Sequence, residues 1–102
     1  MKIVTFCDLD DSVIDSKHDV EHFESGNSGG AQIAILDINT IFDFEENKLE
    51  ACAEKFISIA LLDDESDFDA FKNFGVDAWI KTEDIEDING LLNLIEKRYF
   101  AS

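Results

Sequence analysis

The chain has 102 residues, 45% of them hydrophobic and nine of them Phe, enough for one domain (1–102) and too apolar for disorder. A formal charge of −16, from 24 acids against 8 bases, excludes a basic nucleic-acid-binding surface and adhesion to an anionic membrane. No apolar run is long enough to cross a bilayer and no secretory signal is visible, so a cytoplasmic location is expected.

Residues 2–7, "KIVTFC", predict a buried strand, which runs directly into "DLDDSVIDS". There Asp8, Asp10, Asp11 and Asp15 crowd four carboxylates into eight residues. Their mutual repulsion is relieved either by a divalent cation or by water around a solvated loop. Residues 12–31 carry a weaker pattern. "HDVEHFES" alternates polar and apolar positions and suits a short edge strand or a ragged helix, and "SGNSGG" at 25–30 is a loop. His18 and His22 stand at i, i+4, a metal-binding spacing on a helix, but with no third ligand nearby solvated side chains are the simpler reading.

"QIAILDI" at 32–38 and "FISIALL" at 56–62 predict two more buried strands, the second ending in Asp63, Asp64 and Glu65. "DAWI" at 77–80 predicts a fourth, followed by Lys81. Continuous apolar strands mean that both faces of the sheet are covered. Helices are expected over 45–55, with Leu49, Cys52, Ala53 and Phe56 inward, over 66–74 between a Ser66 N-cap and Gly75, and over 84–99. Cys7 in a strand and Cys52 in a helix read as buried thiols. Strands alternating with helices give a three-layer α/β domain around an open, mainly parallel sheet, with the 2–7, 32–38 and 56–62 strands adjacent. Three of the four strands end in acids, at the sheet edge where open α/β folds bind ligands, although acids also favour strand-to-helix turns and N-caps. Imitation of DNA would need those acids in a solvent-facing row, and here many fall in turns and helix starts.

Residues 32–99 resemble a response-regulator receiver domain. "IAILDIN" is similar to the receiver's third strand, "FISIALLDDESDFDAFKNFGVDAWIKT" to its fourth strand, fourth helix and fifth strand, and "EDINGLLNLIEKRY" to its closing helix. The resemblance implies a flavodoxin-like sheet, Asp37 as phospho-acceptor, and Lys81 as the cation pairing with phosphoryl oxygens. It also implies Mg²⁺ held by Asp37 and Asp8 with Asp10 or Asp11, and a histidine kinase or an output protein as partner. The chemistry is coherent, because phosphoryl transfer to a carboxylate needs a metal and a cation to neutralise the moving oxygens. The chain departs from the pattern in three places. Ala60 and Leu61 stand where a receiver has a Ser or Thr, Thr82 stands where it has a Pro, and the first two helices must be shortened or lost.

"DLDDSVIDS" also resembles the first motif of haloacid-dehalogenase-type phosphatases, which implies Asp8 as nucleophile and Asp10 as general acid/base. "LLDDESD" with "AFKNFG" is similar to that family's metal motif, with Asp63 and Asp67 before Gly75. Thr40 would supply its hydroxyl, and Lys48 or Lys55 its lysine. Without either chemistry the chain is a non-catalytic acidic interaction domain.

Overall fold

The computed structural model describes residues 1–23 and 29–100. Five strands form one sheet: β1 (Lys2–Thr5), β2 (Asp19–His22), β3 (Ala31–Leu36), β4 (Cys52–Leu62) and β5 (Ala78–Lys81). Their order is β2-β1-β3-β4-β5 and every pair is parallel, so the chain has a flavodoxin-like open α/β fold. The three strands expected to be adjacent are adjacent. β3 lies at the centre, and Ile33, Ala34, Ile35 and Leu36 are completely buried, as their uninterrupted apolar run requires.

The period-2 geometry of the strands sends alternate residues to two cores. On one face Ile3, Ile33, Ile35, Ile59 and Ile80 meet α3 (Ile88–Ile95) through Ile88, Leu92 and Ile95. On the other, Val4, Ala34, Leu36, Ala60 and Leu62 meet α1 (Ile41–Ala51) and α2 (Glu65–Phe71) through Ile41, Phe44, Ala51 and Phe71. Among the described residues no α-helix connects β1 to β2 or β2 to β3. Leu9 and Ile14, flanking a short 3-10 turn at Asp11–Val13, cover the sheet where a first helix would pack. The "HDVEHFES" segment contributes the edge strand β2. Of the loop expected over 25–30, residues 25–28 lie outside the described residues.

Several expected boundaries move, for local reasons. The helix expected over 45–55 is α1, starting at Ile41 because Asp37 and Thr40 form a capping box that launches the chain through a 3-10 turn at Ile38–Thr40. It stops at Ala51 because Cys52 already pairs with Ala31, so Cys52 lies in a strand and not in a helix. A register shift between that pair and Ile33↔Ile57 absorbs the extra residues of β4. Leu49, expected in the core, is 88% exposed. Asp64, not Ser66, caps α2, with Asp67 completing the box; Gly75 ends the following 3-10 turn at φ +64°, as expected of a C-cap. The closing helix is α-helical only over Ile88–Ile95, between a 3-10 segment at Thr82–Asp87 and a π-turn at Glu96–Phe100. Gly29 has φ +81°, and a Cβ there would come within 3.0 Å of the Glu50 carbonyl oxygen, so only glycine fits beside the end of α1.

No helix among the described residues is long and apolar enough to cross a membrane.

Candidate functional site

The sheet winds outward in opposite directions from β1 and β3, and a crevice of about 610 Å³ opens at the carboxyl ends of these two strands. Asp8 enters it from the end of β1, Asp37, Asn39 and Thr40 from the end of β3, and Thr5 and His22 from the strands themselves. Thr5 is buried, and its hydroxyl lies 2.6 Å from His22 Nδ1. Asp8 is exposed and Asp37 half-buried.

Asp37 stands one residue past the end of β3, where the chain turns into α1, and its carboxylate serves that turn. Oδ1 accepts from the Asn39 amide and from the Thr40 hydroxyl, each at 3.0 Å, while the Asp37 amide donates back to Thr40 Oγ1 at 3.0 Å. Asp37 thus acts as a helix cap, the role that acids at strand-to-helix turns favour. Asp10 is also a local cap: Oδ1 accepts the Ser12 amide at 3.0 Å. Hydrogen bonds from the Ser12 backbone and side chain hold the Asp10 carboxyl below its ordinary value. Asp11 opens the 3-10 turn at Asp11–Val13, and its side chain lies outside the described residues.

Lys81 ends β5 and is exposed, in a second hollow of about 270 Å³ shared with Asp63, Asp64, Glu65 and Thr82. Its ammonium lies 3.9 Å from a Glu83 carboxylate oxygen. Asp37 lines the crevice, whereas Lys81 lines this second hollow and a third one over Leu62 and Ile80. The Thr82 hydroxyl donates to Asp63 Oδ1 at 2.9 Å and lies 3.4 Å from the Leu62 carbonyl oxygen, which puts a hydroxyl beside the end of β4 although β4 itself ends in Ala60, Leu61 and Leu62.

The carboxylates at the three strand ends make a common negative field. Cys7, buried at the end of β1, reports it: burial first, then Asp37, with smaller contributions from Asp8 and Asp63, push its thiol up to about 12. Such a thiol stays protonated and is not a nucleophile near neutral pH. Burial pushes the Cys52 thiol up to about 11.

Among the described residues no three His, Cys, Asp or Glu side chains come together as a set that would hold a metal ion. The crevice offers two carboxylates, Asp8 and Asp37. That pair fits a hydrated Mg²⁺, which takes one or two carboxylates and keeps its remaining water; it does not fit an all-protein cage.

The residues of the phosphatase-like motifs are spread out. Asp8 and Thr40 share the crevice, but Asp63 lines the second hollow and Asp67 is occupied in the α2 capping box, accepting the Asp63 and Asp64 amides at 3.1 and 3.2 Å. Lys48 pairs with Glu45 at 3.1 Å, and Lys55 donates to the Tyr99 carbonyl at 2.7 Å. His18 and His22 share no helix. His18 precedes β2 and is buried, with Nδ1 3.1 Å from the Met1 amine, whereas His22 closes β2 at the crevice. The Thr5–His22 pair and the Thr40 link to Asp37 are the site features that sequence reasoning missed. An acid followed three residues later by Thr, straight after a strand, is the signal that marks the second of them. Compared with protein-family models, curated proteins and solved structures, the chain has no match, and its sheet-edge geometry alone bears on function.

Proposed function

We propose that this chain is a receiver-like regulatory domain whose phosphoryl-transfer site has lapsed, and that it acts by constitutive contact with a protein partner. The observation that carries the reading is the engagement of the Asp37 carboxylate by the Asn39 amide and the Thr40 hydroxyl, on a sheet of the receiver order. A carboxylate that attacks phosphorus needs a cation beside the transferring oxygens, and here the candidate cation faces Glu83 in another hollow. The Asp37 oxygen engaged by Asn39 and Thr40 is withdrawn from attack in the same measure. Hydrated Mg²⁺ at Asp8 and Asp37 would neutralise the crevice. The partner surface is the one built by residues 66–99. There the Phe68 and Trp79 rings, 5.2 Å apart, border a hollow over Leu62 and Ile80, whose rim carries Lys81, Asp84 and Asp87.

The test is to add Mg²⁺ and beryllofluoride to the isotope-labelled protein and follow its amide resonances. Shifts confined to residue 8 and residues 37–40, with β5 and α2 unmoved, are the expected result. Shifts that travel to Lys81 and Trp79 would make the domain a working switch and overturn the lapsed-site reading. Sustained phosphomonoester hydrolysis lost in Asp8→Asn would replace it with the phosphatase.

A further inference from the structure

The outward face of α1 presents two large apolar side chains to solvent, Phe42 at 73% and Leu49 at 88% exposure. At about 100° per residue, Leu49 falls within about 20° of Phe42, nearly opposite the inward Phe44 and Ala51, and about 10 Å along the axis. Chance exposure of single apolar residues is ordinary, but two on one stripe, two turns apart, form a seam. Phe74 extends it sideways, because its ring meets Phe42 edge-on with centroids 6.0 Å apart, carrying the apolar surface across to the end of α2. Acids border the seam: Asp43, Glu46 and Glu50 are exposed along one side of the helix. The one lysine of α1, Lys48, faces Glu45 and the Phe44 ring instead.

We infer that the Phe42–Leu49 face of α1 is a docking seam for a cationic amphipathic helix of another protein, one whose apolar residues recur every two turns between Lys or Arg. Apolar spacing sets the register and the bordering acids set the sign of the partner's charge. A second copy of this chain is the poorer occupant: each copy carries −16, and the seam would set Asp43, Glu46 and Glu50 against the same acids. This inference concerns a face of the molecule away from the sheet edge and does not rest on the lapsed-receiver reading.

The test uses the full chain and a designed 18-residue peptide of Leu and Lys, with leucines placed on one helical face. A peptide of the same composition with the leucines scattered is the control. Amide resonances and a calorimetric titration are followed at moderate salt. The amphipathic peptide should shift residues 41–51 and 72–74, and bind at least tenfold more tightly than the control. Phe42→Ser with Leu49→Ser should weaken it at least tenfold, with amide resonances elsewhere and the unfolding midpoint nearly unchanged, since both side chains face water. Equal binding of the two peptides, shifts spread over every acidic surface, or no binding at millimolar peptide would each overturn the inference. So would a concentration-dependent dimer, seen by sedimentation, that disappears in the double variant.

Discussion

The Thr40 hydroxyl binds Asp37 twice, donating to its carboxylate at 3.0 Å and accepting its amide at 3.0 Å. One side-chain pair thus ends β3, starts the turn into α1 and occupies the acid at the switch point of the sheet. The same link engages one oxygen of the carboxylate and fixes the start of the helix.

Thr40→Val keeps the shape of the side chain and removes the hydroxyl, so the Asp37 amide and carboxylate both lose a partner. Loss of such a cap costs about 1 kcal/mol, with a range of about 0.5–2. A fall of that size in urea unfolding free energy is expected, with an unchanged m-value. Asp37→Asn should cost less, because an amide oxygen still accepts the Asn39 amide and the Thr40 hydroxyl. A larger loss in Asp37→Asn than in Thr40→Val would mean that the charge, and not the cap, is what the fold needs.

Mg²⁺ should bind weakly, in the millimolar range, and move the amides of Asp8 and of residues 37–40. Either Asp8→Asn or Asp37→Asn should weaken the response severalfold, because the already weak site then keeps one carboxylate in place of two. Thr40→Val should strengthen it, by releasing the Asp37 oxygen that the hydroxyl engages. A response undiminished in Asp37→Asn would place the ion elsewhere among the acids.

Lys81→Ala should change stability by less than about 1 kcal/mol, the ceiling for an exposed ion pair such as Lys81–Glu83. Its effect on the Mg²⁺ titration should be equally slight, since the ammonium faces Glu83 and Lys81 does not line the crevice. Marked tightening of Mg²⁺ in Lys81→Ala would show that the lysine reaches Asp37 in solution and would restore a working phosphoryl site.

The strands and the acidic strand ends were legible in the sequence because a sheet covered on both faces demands unbroken apolar runs, and "QIAILDI" and "FISIALL" supply them. The helix faces were less legible. Leu49 satisfies an inward helical period only if the helix runs to residue 55, and the pairing of Cys52 with Ala31 ends it at Ala51 and turns Leu49 to water. The proximity of Asp8 and Asp37 follows from β1 and β3 being neighbours, which the alternation of strands and helices implies. The pairing of Lys81 with Glu83 depends on where side chains point at the sheet edge, and nothing in the local spacing encodes that.

The two apolar environments of neighbouring helices give a direct comparison. Phe71→Ala should cost about 3–5 kcal/mol, because its ring is completely buried between α2 and the sheet. Leu49→Ser should stay within about 0.5 kcal/mol of the parent, as an exposed substitution does. Chemical unfolding of both variants measures the contrast, and a large loss in Leu49→Ser would mean that this side chain is covered in solution.

His18 links stability to pH. Burial is the first cause that lowers its pKa below the ordinary 6.5, followed by the nearby Met1 amine and Lys17; Glu96 and Asp15 act in the opposite direction. A depressed folded-state value means that the unfolded chain binds the proton more readily, so the neutral imidazole's contribution is complete above about pH 6.5 and is lost as pH falls below it. The bulk charge works the other way, since acidification relieves the self-repulsion of a chain at −16. The two trends are separated by comparing the parent with His18→Gln, which cannot titrate but leaves the rest of the charge in place. Urea midpoints at pH 7 and pH 5 should show the parent losing stability relative to the variant on acidification. Parallel changes in the two proteins would mean that His18 takes up its proton in the folded state as easily as in the unfolded chain, and that its burial near the Met1 amine is relieved in solution.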